Sequence, residues 1–155
     1  MQTFKSKKTI NCKGKLINLD IPRVMGILNI TTDSFFDGGK YNSMDNALFQ
    51  TEKMLTDGAT FIDIGAQSTR PGADMIGAEA ELKFAIRAIE NIIQRFPEAI
   101  ISIDTFNSKV AHEAIIAGAA IINDISAGDD DEQMFKTVIQ HQVPYIMMHK
   151  KGNSK

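Results

Sequence analysis

The sequence predicts an α/β chain made of consecutive βα units. Three observations carry that prediction: five short β-branched runs alternate with helical apolar periods, every run ends in a polar cluster, and one helix-to-strand turn recurs along the chain. The runs are roughly Val24 to Asn29, Phe61 to Gly65, Ile100 to Asp104, Ile121 to Ile125 and Tyr145 to Met148. Strands that alternate with helices pair in parallel, because the crossover between parallel neighbours needs a helix-sized segment.

Ahead of the first run, Thr9-Ile10-Asn11-Cys12 and Leu16-Ile17-Asn18-Leu19 flank the turn-forming Lys13-Gly14-Lys15, which is the pattern of a β-hairpin. Between the second and third runs, Leu82, Ala85, Ile86, Ile89, Ile93 and Phe96 recur at helical spacing and predict a stripe laid on one sheet face. Gly58 and Gly118 each stop a helix and lead through Ala into the next strand. These two turns lie 60 residues apart, so the βα module repeats. Asp129 and Glu132 have the spacing of a capping box, so a helix is expected to start there rather than a metal cluster at Asp129 to Asp131.

Two architectures repeat βα units. A doubly wound sheet is complete with about five strands, whereas a (β/α)8 barrel needs eight and about 250 residues. The polar residues separate them. They follow every strand: Asn29 to Asp37, Gln67 to Arg70, Asp104 to Asn107, Asn123 to Ser126 and His149 to Lys151. In a doubly wound sheet such residues gather near one crossover, while a barrel carries them around its whole C-terminal rim. The expectation is a TIM-barrel type chain, an incomplete barrel of about five parallel strands after an N-terminal hairpin. Residues 1–155 are then the N-terminal portion of a single barrel domain.

Composition narrows the function. The 155 residues are 43% hydrophobic and 23% charged, with 17 Lys and Arg against 19 Asp and Glu, a formal net charge of −2. Such a balance gives no electrostatic case for nucleic acid or an anionic membrane as partner. Lys5, Lys7, Lys8, Lys13 and Lys15 read as a solvated N-terminal segment. The longest near-apolar stretch, Ala114 to Ile122, is far below the ~18 residues of a membrane span, and Cys12 is the single cysteine. A cytoplasmic protein is expected. The eight methionines read as core filler and one start residue rather than a binding stripe, and His112, His141 and His149 as structural or surface groups.

Four rim clusters carry the chemistry. The long Gly-ended loop from Asn29 to Gly39 suits a lid; Ser68-Thr69-Arg70-Pro71-Gly72 offers hydroxyls and a guanidinium to a phosphate; Asp104-Thr105 and Asn123-Asp124 end two further strands. Each alone reads equally well as turn formers, strand-end hydrogen bonders or helix caps. Four at corresponding strand ends favour a site. Asp63 is polar within an apolar strand and is read as hydrogen-bonded inside the barrel.

Met25-Gly26-Ile27-Leu28-Asn29 leading into Thr-x-Asp-Ser-Phe-x-Asp-Gly-Gly, then Ser68 to Gly72, Ile103-Asp104-Thr105 and Ile122-Asn123-Asp124, closely resemble the dihydropteroate synthase family in order and spacing. The resemblance runs from about residue 8 to the end. It implies condensation of 6-hydroxymethyl-7,8-dihydropterin diphosphate with 4-aminobenzoate, assisted by Mg²⁺, in a homodimeric enzyme of folate biosynthesis. It further implies Asp104, Arg70 and Asn29 as catalytic residues, with Asn29 the Mg²⁺ ligand. Thr69, Arg70, Asp104, Asn123, Ser34, Phe35 and Pro71 are the implied substrate contacts, with Ser34, Phe35, Thr69, Arg70 and Pro71 shaping the lid and the aminobenzoate pocket. Thr32 stands where the family has proline, Gln67 where it has glutamate, Ala66 where it has glycine and Phe36 where it has a small polar residue. The Asp-Pro-Gly-x-Gly-Phe motif, the later lysine and the Arg-x-His of the family's second half have no counterpart in these 155 residues. The chain alone is therefore expected to be inactive. The alternatives are a non-catalytic half-barrel module that pairs with another chain and, less favoured because of the lid motif, a pterin-dependent methyltransferase domain.

Overall fold

Each β-branched run forms a strand, and each lies within a residue of its predicted bounds. The computed structural model describes residues 7–30, 40–65 and 78–149. Among them the order is β1 (Thr9–Cys12), β2 (Lys15–Asn18), β3 (Met25–Asn29), α1 (Lys40–Thr56), β4 (Phe61–Gly65), α2 (Ala78–Arg95), β5 (Ile100–Asp104), α3 (Ser108–Ala117), β6 (Ile121–Asp124), α4 (Met134–His141) and β7 (Tyr145–Met147). The antiparallel pair β1-β2 stands apart from a parallel sheet in the order β3-β4-β5-β6-β7. Every crossover therefore steps one place in the same direction. A doubly wound sheet reverses from a central strand, so this order is that of a barrel wall.

The two sheet faces have different partners. Leu28, Ile64, Ile103 and Ile122 share one register row. They are buried against Ala85, Ala88, Ile89 and Ile92 of α2 and Val110, Ala111 and Ala114 of α3. Complete burial of an isoleucine contributes about 1.5–3 kcal/mol, so this row and the fully buried Ile62 and Ile101 hold the wall to its helices. The α2 stripe is centred on Ala85, Ala88, Ile89 and Ile92, whereas Leu82, Ile86, Ile93 and Phe96 flank it half-buried. Small Ala85 and Ala88 let the helix sit close to the strands, which is why the larger flanking side chains are not the buried centre.

On the other face, the row Met25, Phe61 and Ile100 closes the N-terminal end of the wall together with Ile10, Cys12 and Ile17 of the hairpin. Lys13 Nζ donates to the Ile115 carbonyl at 2.7 Å, at the C-terminal end of α3 where a cation is favoured, and Lys15 pairs with Glu98 at 2.9 Å. Lys7 and Lys8 are exposed as the solvated reading expects and Lys5 lies outside the described residues, while Lys13 and Lys15, although exposed, add these tertiary contacts. The hairpin is a plug, and two of its lysines anchor it.

Gly118 ends α3 as expected, donating its N–H to the Ala114 and Ile115 carbonyls at a φ of 129°, where a side chain is strained and would also meet Ile93. The start of α4 differs from expectation. The helix begins at Met134 after Gln133, which makes no side-chain cap. Asp131 instead accepts from Gln133 N at 2.9 Å and, across 23 residues of sequence, from Ser108 N at 2.8 Å. The carboxylate thus serves the first turn of α3, and no Asp129–Glu132 box forms. The methionine reading is also corrected. Met134 is fully buried, but Met147 at the end of β7 and Met148 just after it are exposed.

His112 and His141, read as structural or surface groups, meet between α3 and α4, which makes them structural. His112 Nδ1 and His141 Nε2 lie 2.8 Å apart, a hydrogen bond in which one ring donates and the other accepts. Burial, then the neighbouring His112 and Lys13, hold His141 below the ordinary histidine value of 6.5. The unfolded chain therefore takes up the proton more readily as pH falls through 6.5, and folded stability is expected to decline over that range. Melting temperatures between pH 7.5 and 5 should fall less steeply for His141→Gln than for the wild type. Parallel profiles would remove this pair from the pH response.

Candidate active site

The C-terminal ends of the strands align four positions in one row: Asn29 pairs with Gly65, Gly65 with Asp104, and Asp104 with Asn123. Register partners in a parallel sheet point to the same face, and the alternation assigns this row to the face away from the helices. Asn29, Asp104 and Asn123, three of the sequence-predicted site residues, are thus brought together. Ser34, Phe35, Thr69, Arg70 and Pro71 lie outside the described residues, as do Thr32, Phe36, Ala66 and Gln67.

Gly65 keeps the row open. A methyl group at its Cα would sit 3.4 Å from Asn29 Oδ1 and 3.6 Å from Asp104 Oδ2, so two oxygens converge on the space that the missing side chain leaves. Both distances are ordinary contacts, and the backbone there is not left-handed, so alanine fits the folded chain. Gly65→Ala is accordingly expected to leave the melting temperature within about 2 °C while weakening any ligand held between the two oxygens about tenfold or more. Calorimetry beside thermal melting checks both halves. Unaltered affinity would mean that ligands do not use this space.

One step down the strands, Ile27, Asp63, Ser102 and Ile121 form the next row on the same face. Asp63 is buried and accepts from Asn123 Nδ2 at 2.9 Å, as its reading inside the barrel expected. Its other oxygen, Oδ1, and the hydroxyl of the fully buried Ser102 are without a hydrogen-bond partner. Ser102 is a residue that sequence reasoning missed. The signal was present: in Ile-Ile-Ser-Ile-Asp it stands two residues before Asp104, which the strand period assigns to the same face.

Other rim residues are structural. Asn107 caps α3, its Oδ1 accepting from Lys109 N at 3.0 Å and Val110 N at 3.2 Å. Asp124 is fully buried and accepts from Ser126 N, Ser126 Oγ, Gly128 N and Tyr145 Oη at 2.6 to 2.9 Å. Burial and then this carboxylate raise the Tyr145 phenol, so it stays a donor. His149 is exposed at the end of β7, beside Ser126 and Asp129. No group of three or more His, Cys, Asp or Glu side chains suited to a metal occurs among the described residues.

The sequence profile described as pterin binding enzyme matches residues 25–155. The chain belongs to the pterin-binding enzyme family. Among this family's members it is similar to the dihydropteroate synthase of Bacillus subtilis, 48% identical over 126 residues that make up 81% of this chain and 44% of that protein. It is also similar to a mitochondrial folate synthesis bifunctional protein of Arabidopsis thaliana, 50% identical over 132 residues, 84% of this chain and 24% of that one. Among solved structures, the Xanthomonas albilineans dihydropteroate synthase with 4-aminobenzoic acid superposes with a TM-score of 0.84 at 37% identity, over 95% of this chain and 54% of that chain. The same enzyme in complex with 7,8-dihydropteroate gives 0.78 at 34% identity, over 92% and 51%. This pterin-binding family chain thus spans about half the length of the synthases it matches, and its wall is the corresponding part of a TIM barrel.

Proposed function

We propose that residues 1–155 are the N-terminal portion of a single dihydropteroate synthase barrel. The whole enzyme joins 6-hydroxymethyl-7,8-dihydropterin diphosphate to 4-aminobenzoate: the amine nitrogen bonds to the pterin methylene carbon, the carbon–oxygen bond to diphosphate breaks, and the amine gives up a proton. The observation that carries the reading is the row of Asn29, Gly65, Asp104 and Asn123 at the strand ends. A carboxylate and an amide side by side match the donors and acceptors of an aminopyrimidine edge, and carboxylates also favour the positive charge that develops on the methylene as diphosphate departs. Thr69 and Arg70 are assigned to the departing diphosphate, and Ser34, Phe35 and Pro71 with them to the lid and the aminobenzoate.

The donor set at Asn29 fits Mg²⁺. Its carbonyl oxygen faces the open space above Gly65, and a hard cation that keeps its waters needs only one or two such protein oxygens. Mg²⁺, when bound, neutralises charge on the diphosphate. This chain's own residues hold the pterin between Asp104 and Asn123 and leave the space above Gly65 clear. A homodimer working in the cytoplasm completes the reading, in accord with a described chain in which no helix is long and apolar enough to cross a membrane.

Asp104→Asn removes a charged acceptor and is expected to weaken pterin binding by ~1–3 kcal/mol. Titration of the chain with 6-hydroxymethylpterin, followed by amide NMR, should shift Asn29, Gly65, Asp104 and Asn123 in the wild type and need a higher concentration in the variant. Equal affinities would take Asp104 out of the site.

A further inference from the structure

We infer that Asp63 is a positioning residue that sets the direction in which Asn123 offers its amide to a ligand. The inference rests on the reading of Asn123 as a ligand contact. An amide side chain can present either its oxygen or its nitrogen to the same point by turning over, and recognition through it is ambiguous unless something fixes the choice. Asp63 fixes it. Asn123 Nδ2 donates to Asp63 Oδ2 at 2.9 Å, so the amide nitrogen is turned toward Asp63. The remaining Nδ2 hydrogen and the carbonyl Oδ1 are then locked in one order along the row, next to Asp104.

The surroundings make this lock stiff. Asp63 is 4% exposed and Ser102 is fully buried beside it, so neither has bulk water as a competing partner. The unpartnered Asp63 Oδ1 and Ser102 Oγ mark a second polar point behind the amide, on adjacent strands in register, of the kind that one buried water serves. Truncating Asp63 would free the Asn123 amide to turn over. A ligand needing a donor next to an acceptor would then meet the wrong order for part of the time. Asp63 touches no ligand in this account and acts only through Asn123.

A double-mutant cycle read on 6-hydroxymethylpterin affinity tests this, with side-chain amide NMR of the same proteins as a second measurement. Asp63→Ala should weaken binding about tenfold in the wild-type background and less than twofold in an Asn123→Ala background, because its effect passes through that amide. Asp63→Asn, which can still accept through its own Oδ1, should restore affinity to within about threefold. Equal losses from Asp63→Ala in both backgrounds would overturn the inference. The NMR measurement does not depend on binding: the two Asn123 Nδ2 proton signals should be well separated in the wild type and converge in Asp63→Ala. Unmoved signals would overturn the inference even where affinity falls. Should the wild-type chain bind no pterin, the reading of the site fails while the amide signals still decide the role of Asp63.

Discussion

The polypeptide of residues 1–155, purified alone and supplied with the pterin diphosphate, Mg²⁺ and labelled aminobenzoate, forms dihydropteroate at a rate lower than that of a full-length relative by a factor of about a thousand or more. The geometry gives the reason. Among the described residues, the five parallel strands leave β3 and β7 as edges, and a barrel closes only when strand number, tilt and stagger agree. The interior-facing row is unevenly covered: Asp63 and Ser102 in its middle are buried, but Ile27 on β3 is 68% exposed. Ile146 on β7, in register with Asn123, is exposed as well. The proposed site residues Asn29 and Asn123 thus stand on β3 and beside β7, the two outer strands of the described sheet, and groups that act together lose far more than their separate shares when part of the set is absent. A radiochemical assay decides the matter. Turnover approaching that of the full-length enzyme would mean that the five-stranded wall already holds a complete site.

Asp124→Ala is expected to destabilise the fold by about 4 kcal/mol, the largest effect of any single substitution considered. Asp124 is fully buried at the end of β6 and gathers two backbone N–H groups, the Ser126 hydroxyl and the Tyr145 phenol. Hydrogen bonds to a charged group are each worth about 1.5–3 kcal/mol, and removing the acceptor leaves its buried donors unpaired. Water entering the gap offsets part of that loss. Urea unfolding followed by circular dichroism should show the midpoint displaced with an unchanged slope. A loss below about 1 kcal/mol would show that the turn after β6 satisfies its donors without the carboxylate. Tyr145→Phe removes one of the four bonds and should cost about a quarter as much.

The wall of this protein was legible because its information is local. Isoleucine-rich runs such as Ile100 to Asp104 become strands through their own side chains, and Gly118 stops α3 because a left-handed turn there suits no other residue as well. Asn29, Asp104 and Asn123 were legible as a group because each closes a strand, and strand ends of a parallel sheet necessarily meet along one rim. Errors arose where a side chain chose a distant partner over a near one. Asp131 sits three residues from a plausible helix start yet binds Ser108 N, and the structural role expected of His141 is met by His112 on another helix. Neither pairing leaves a trace in spacing. Ser102 and the Asp63–Asn123 bond are an intermediate case: strand alternation assigns all three to the interior face, but which of them touch depends on how neighbouring strands are staggered.

The hairpin plug also orders the events by which the chain acquires its structure. Its two strands are neighbours in sequence, yet its anchors lie far ahead: Lys13 waits for the Ile115 carbonyl, 102 residues on, and Lys15 for Glu98, 83 residues on. Ile10, Cys12 and Ile17 likewise have no apolar surface to meet until Phe61, Ile100 and Ile121 have been brought side by side. A two-stranded hairpin alone in water is marginally stable at best. The hairpin precedes in sequence the surface it seals, so it is expected to be among the last elements of this wall to become fixed, after the βα units that follow it have assembled. Closing so long a span carries an entropic cost that grows only slowly with length, so the delay is a matter of timing more than of final stability.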